Sequence, residues 1–274
     1  MTTRNESLAS YAILLAASAV ALFPIVVILL LALEPSGTTV DSFPWPADPE
    51  FGNFSRVWEE GQFGSSLLSS FVVAATVSVV STLLALMSAY SFGTMEFRGR
   101  SVLFYFVVLG VIVPYEAMVI PLYYDFRELG LTDSYFALIL PQIGLSVAFG
   151  TFWLRAFFLA TPRSLLDAAR VDGASEWTIL WRILVPAARP AILALGTLLF
   201  IFTWNEFLLA LVMIQDESIR TAPVSLAFFS GGQRTNDLPL VAAAAVLVAG
   251  PVLAVYVLLQ RSFVRGMLGA VSKG

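Results

Sequence analysis

Glu116 and Glu206 each interrupt a long apolar run, at 102–124 and 191–214, and Asn205 stands beside the second. An ionisable group within hydrocarbon is costly, so it faces protein or water, caps a neighbouring helix, or reaches to the interface. Hydrogen bonding to a polar solute and binding of a proton or cation are the chemistries open to these three. Catalysis has little else to use. The chain contains neither Cys nor His, which removes thiolate chemistry, disulfides, Cys/His metal sites and the commonest general base. Its single Lys, Lys273, is followed only by Gly274, so a GxxxxGK[ST] phosphate loop is impossible. No metal or cofactor is expected in this chain, and a nucleotide that drives it must sit on another subunit.

The elements that position these residues are membrane spans. Hydrophobic residues make up 58% of the 274 and charged residues 12%, against roughly half and a quarter in soluble domains. Six stretches are long enough to cross about 30 Å of hydrocarbon: 11–33, 65–92, 102–124, 134–154, 191–214 and 238–259. The second, fourth and sixth carry no charge. Prolines inside the set, such as Pro114, Pro121 and Pro141, are compatible with spanning helices. The first run is too long for a signal-peptide core and reads as a retained anchor. The predicted fold is all-α, a polytopic bundle of six transmembrane helices.

Arg and Lys set the orientation. With the N terminus inside, Arg4, Arg98, Arg100, Arg155, Arg163, Arg170, Arg182, Arg189, Arg261, Arg265 and Lys273 fall on the inner side, and only Arg56, Arg127, Arg220 and Arg234 on the outer. Both termini are therefore expected in the cytoplasm. No basic run suits nucleic-acid phosphates, so nucleic acid is not expected as a partner. The outer loops are acidic, which favours a neutral or cationic solute over an anion.

The longest inner connection, 161–190, is amphipathic. Ser164 followed by Asp167 has the form of a capping box that would start a short helix, and Gly173 would end it. Ser175 would cap a second helix through Ile183, closed by Pro186 and Pro190 before the fifth span. The expectation is a cytoplasmic helix-Gly-helix loop on the membrane surface, with Trp153, Trp177, Trp181, Phe157 and Phe158 forming an interfacial belt.

Asp167-Ala168-Ala169-Arg170-Val171-Asp172-Gly173-Ala174, with Ile183-Leu184-Val185-Pro186 and Pro190 after it, resembles the EAA loop of ABC importer permeases. Asp167 stands where the usual residue is Glu, and Val185 where it is Leu. Trp204-Asn205-Glu206-Phe207 and the tail Gln260-Arg261-Ser262-Phe263-Val264-Arg265-Gly266 look like the second permease of carbohydrate importers of the maltose and glycerol-phosphate type. The resemblance covers about residues 65–274, with 1–64 a generic anchor and outer loop. It implies a bacterial inner-membrane protein in a heterodimer with a second permease, two ATPase subunits that hold ATP and Mg, and an extracytoplasmic solute-binding protein. It further implies that Asp167, Ala168, Ala169, Asp172, Gly173, Ala174, Ile183 and Pro186 couple to an ATPase. Glu116, Asn205 and Glu206 would line the solute path, and the outer loop at Gly231, Gly232 and Gln233 would meet the binding protein.

Two rival readings differ in class. An ion-coupled secondary transporter would use Glu116 and Glu206, but such proteins commonly carry internal inverted repeats, and none is evident. A membrane enzyme lacks His, Cys and any clustered carboxylate motif.

Overall fold

A computed structural model describes residues 4–38, 43–231 and 237–271, and the side chains of 10–38, 43–231 and 237–260. Among the described residues every regular element is helical. In order they are α1 (Arg4–Leu31), α2 (Gly52–Glu60), α3 (Phe63–Thr94), α4 (Arg100–Ile112), α5 (Tyr115–Glu128), α6 (Tyr135–Leu159), α7 (Arg163–Val171), α8 (Glu176–Thr178), a π-helical turn (Ile179–Leu184), α9 (Val185–Trp204), α10 (Leu208–Met213), a 3-10 turn (Glu217–Ile219), α11 (Ala222–Ser230) and α12 (Leu238–Val271).

Among the described residues five helical runs are long and apolar enough to cross a membrane: Ser10–Leu31, Phe63–Thr94, Tyr135–Leu159, Glu176–Trp204 and Leu238–Gln260. The sixth expected span is not one rod. α4 and α5 meet at a bend of 92°, and the cause is local. Proline lacks an N–H and disfavours the α region at the residue before it; Val113 accordingly sits extended at φ −64°, ψ 126°, directly before Pro114. Pro114, expected to be compatible with a spanning helix, here divides the stretch into two helices.

The loop after α6 also differs from expectation. Pro186 and Pro190 do not close a separate surface helix: Glu176–Trp204 runs through both as one helical stretch. Pro186 follows closely on the π-helical turn Ile179–Leu184, the kind of local adjustment that lets a helix continue through a proline. The second surface helix is therefore the start of the fifth membrane rod.

The chain divides into two compact units. The first comprises 1–64 and 225–251. In it the Asn53 amide donates to the carbonyls of Ala32 (3.0 Å) and Glu34 (2.8 Å), tying α2 to the end of α1. Phe63 packs edge-on against Phe229. The apolar stretch of α1 has none of its residues buried within the chain.

The second unit, 65–224 and 252–274, holds the main cores. One joins α3, α6, α7 and the rod through Leu86, Leu154, Phe158, Leu166, Leu184 and Leu195. Phe158, expected in an interfacial belt, is 1% exposed. A Cβ on Gly150 of α6 would lie 2.7 Å from the Ala85 Cβ of α3, so the two helices cross at a distance that only glycine permits, as small residues allow in membrane bundles. A second core gathers Val77, Val119, Leu138, Leu209 and Met213. At the end of α3 the Phe92 carbonyl accepts from Nε of both Arg100 (2.8 Å) and Arg155 (3.1 Å), cations where the helix dipole is negative.

Candidate functional site

The bend at Pro114 starts a new helix whose first turn carries Tyr115 and Glu116. A second break interrupts the fifth expected span, 191–214: α9 ends at Trp204, and α10 begins only at Leu208. The break is filled by its own polar residues. Asn205 Nδ2 donates back to the Ile201 carbonyl at 2.8 Å. The Glu206 carboxylate accepts from the amides of Leu209 (2.7 Å) and Ala210 (3.1 Å), donors that a starting helix leaves without partners. Tyr115 Oη donates to Glu206 Oε1 at 3.3 Å. The two breaks, 91 residues apart in sequence, are thus joined by one hydrogen bond.

Between them lies a cleft of about 510 Å³. It brings together all three residues expected on the solute path, Glu116, Asn205 and Glu206, and adds Tyr115, Gln142, Ser146 and Thr203. Phe149, Phe202 and Phe207 supply apolar walls. Acceptors and hydroxyls beside aromatic faces suit a small polar solute held by hydrogen bonds and ring contact. Among the described residues no group of three or more His, Asp or Glu could hold a metal ion.

The other singled-out region is the corner after α6. α7 begins at Pro162 without a side-chain cap, so the expected box between Ser164 and Asp167 does not form; Asp167 instead pairs with Arg170 at 3.4 Å. The helix does end at Gly173, which has φ +80°. Gly173 N–H donates to the Arg170 carbonyl and Ala174 N–H to that of Ala169, both at 3.0 Å, the paired bonds of a Schellman cap. Ser175 caps the next helix as expected, its Oγ accepting from Thr178 N–H at 3.2 Å.

α7 buries Leu166 and Ala169 and leaves Leu165, Ala168 and Val171 exposed at three-residue spacing, Val171 at 88%. Asp167, Asp172, Gly173 and Pro186 are exposed too. Ala169 lies in the core and Ala174 and Ile183 pack against it, so these three of the singled-out residues stand behind the exposed face. The hydrogen bond from Arg170 to Glu176 raises the guanidinium pKa further.

A model for the family of binding-protein-dependent transport system inner membrane components matches residues 81–269. The chain belongs to this family. The trehalose transport system permease protein SugB of Mycobacterium tuberculosis is 32% identical over 93% of each chain. The diacetylchitobiose uptake system permease protein NgcG of Streptomyces coelicolor is 29% identical, over 99% of this chain and 89% of that one. A chain in the crystal structure of a bacterial ABC transporter involved in the import of the acidic polysaccharide alginate has a TM-score of 0.77 and 26% identity, covering 96% of this chain and 99% of that one. The protein is accordingly a multi-pass transport subunit of the bacterial inner membrane and an ABC importer permease, not an enzyme. The ion-coupled alternative is not favoured.

At the other end of α6 from the corner, Asp133 Oδ1 accepts from the amides of Gln215 and, at 3.0 Å, Asp216. Asp216 in turn accepts from Ser218 N–H at 2.8 Å, which holds its carboxyl below the usual range. Gly231 follows α11 directly, whereas Gly232 and Gln233 lie outside the described residues, as do the side chains of the tail 261–274.

The sequence reading missed Tyr115, Gln142, Ser146 and Thr203 in the permease cleft. Gln142 carried a usable signal, an amide in an otherwise apolar span. Ser146 and Thr203 carried none, since hydroxyls are common within spanning helices.

Proposed function

We propose that this permease pairs with a second permease to form the path of a neutral saccharide, delivered by an external solute-binding protein and driven by two ATPase subunits that hold ATP and Mg. The observation that carries the reading is the cleft. Two broken helices place Glu116, Asn205 and Glu206 around a space of about 510 Å³, and one of them belongs to a helical run that starts at the corner. Residues 65–274 form the transporting core, with 1–64 an added anchor and outer loop.

In this reading the termini and the corner are cytoplasmic, as the Arg distribution supports. The exposed edge Leu165, Ala168, Val171, Asp172 docks on an ATPase, with Asp167, Gly173 and Pro186 around it and Ala169, Ala174 and Ile183 behind. The outer loop at Gly231–Gln233 meets the binding protein. Acidic outer loops, and relatives for trehalose and diacetylchitobiose, support a neutral solute; the alginate transporter makes an acidic saccharide the competing outcome.

The experiment is uptake into proteoliposomes by the complete transporter, with neutral, amino and phosphorylated or uronic saccharides competing for the binding protein. Neutral saccharides should be taken up preferentially. Preference for an anionic solute, unchanged in Glu206→Gln, would overturn the substrate assignment. For topology, a single Ser175→Cys in this cysteine-free chain should react with an impermeant thiol reagent only from the cytoplasmic side.

A further inference from the structure

α7 is held to the rest of the second unit by a thin apolar contact. Only Leu166 and Ala169 of its nine residues are buried. Beside that contact lies a polar one whose centre is Glu176, the first residue of the run that ends at Trp204. Arg170 of α7 donates from Nε to Glu176 Oε1 at 3.0 Å and from Nη2 to Oε2 at 3.5 Å. Tyr90 of α3 donates to Oε2 from the other side. Both carboxylate oxygens are engaged, and by two different elements.

Tyr90 makes a stiff anchor. The residue is 3% exposed and its ring meets Phe158 edge-on at 6.4 Å, so core packing fixes where its hydroxyl emerges. Arg170 reaches on to Asp167 Oδ1 at 3.4 Å, fastening the guanidinium along α7. The fork of Arg against carboxylate adds direction to the contact as well as attraction.

We infer that Glu176, clamped between Arg170 and Tyr90, is the joint that fixes the orientation of α7 relative to α3 and the fifth-span rod, so that a push on α7 reaches the cleft. This rests on α7 being the ATPase-docking element. The joint stands at one end of a run of 29 residues, about 43 Å long at 1.5 Å per residue, and Asn205 and Glu206 follow the other end. A rigid element is what carries displacement between distant sites. Without the clamp α7 keeps Leu166, Ala169 and the solvent-exposed pair of Arg163 with Glu96 at 3.1 Å, a screened contact at one end of the helix that leaves it free to roll, and rolling would dissipate the push. Glu176 is thus a positioning residue, with no role in holding solute.

The test uses the complete transporter in proteoliposomes and reads solute taken up per ATP hydrolysed. In Glu176→Gln the ratio should fall about three- to fivefold, the size expected for a partly exposed ion pair acting with one further hydrogen bond. The ATPases should still co-purify in wild-type amount. Tyr90→Phe should give a smaller fall, and the exchange Arg170→Glu with Glu176→Arg should recover more than half of the lost ratio, which a merely disruptive change would not do. An unchanged ratio in both Glu176→Gln and Glu176→Ala would overturn the joint, and so would absence of any recovery in the exchange. Gly173→Val separates the joint from the docking surface. If it abolishes coupling while Glu176→Gln leaves the ratio intact, the joint fails and the docking assignment stands; if Gly173→Val couples normally, the docking assignment fails and the joint with it.

Discussion

The corner and the cleft are built on opposite plans. At the corner most polar contacts span six residues or fewer, as in Arg170 with Asp167 and Glu176, or Ser175 with Thr178, with only Tyr90 to Glu176 and Arg163 to Glu96 reaching further among the described contacts, and the groups stay largely exposed. In the cleft the decisive bond joins Tyr115 and Glu206 across 91 residues, and Glu206 is held inside the protein by the start of α10. A short local motif can specify a surface that another protein will grip, whereas a lined cavity requires two helices to break at matching depth. The first is robust to change in the rest of the fold; the second depends on it.

Four substitutions test that contrast, beginning with the largest expected effect. Gly173→Val should reduce uptake tenfold or more. No atom lies within 4 Å of where its Cβ would stand, so the penalty is that of a β-branched residue at φ +80°, about 1–2 kcal/mol of backbone strain, enough to unmake the cap. Membrane level should be normal, and Gly173→Asn, which tolerates that conformation better, should retain most uptake. Normal uptake by the Val variant would separate the corner from coupling.

Glu206→Ala comes next. It leaves the amides of Leu209 and Ala210 without their acceptor, a loss of about 1–2 kcal/mol, which should lower the unfolding midpoint in detergent by several degrees and impair uptake. Glu206→Gln keeps one acceptor and should fall between. Equal stability of Ala, Gln and wild type would mean that the carboxylate serves solute and not architecture.

Tyr115→Phe removes one donor at 3.3 Å, worth about 0.5–1.5 kcal/mol at most. A shift of about two- to tenfold in the half-saturating concentration of loaded binding protein is expected, with little change in maximal rate. The smallest effect belongs to Asp167→Asn. Its pair with Arg170 is 67% exposed on the carboxylate side, so the unfolding midpoint should be unchanged, the expected cost being under about 0.5 kcal/mol. A loss of uptake without a loss of stability would then assign Asp167 to the docking contact.

The sequence by itself determined the class of molecule. Apolar runs of spanning length, the absence of Cys and His, and the spacing of Asp167-Ala168-Ala169 before Asp172-Gly173-Ala174 are properties of residues near one another in the chain. The caps at Gly173 and Ser175 were legible for the same reason, since a helix end is satisfied by groups a few residues away. The expected cap at Ser164 failed because Pro162 already starts α7, and a proline one residue before a helix fixes its entry without a side chain.

Only the tertiary structure decided where the spans break and what the breaks enclose. Pro114 bends its span by 92° while Pro141, Pro190 and Pro251 remain within helices, because the outcome depends on whether neighbouring groups re-satisfy the freed backbone. That Glu116, Asn205 and Glu206 share one cleft with Gln142 and Thr203, and that Tyr90 reaches Glu176, follows from how α3, α6 and α9 cross. That crossing is set by close approach at Gly150 and Ala85, a contact between residues far apart in the chain that no local pattern encodes.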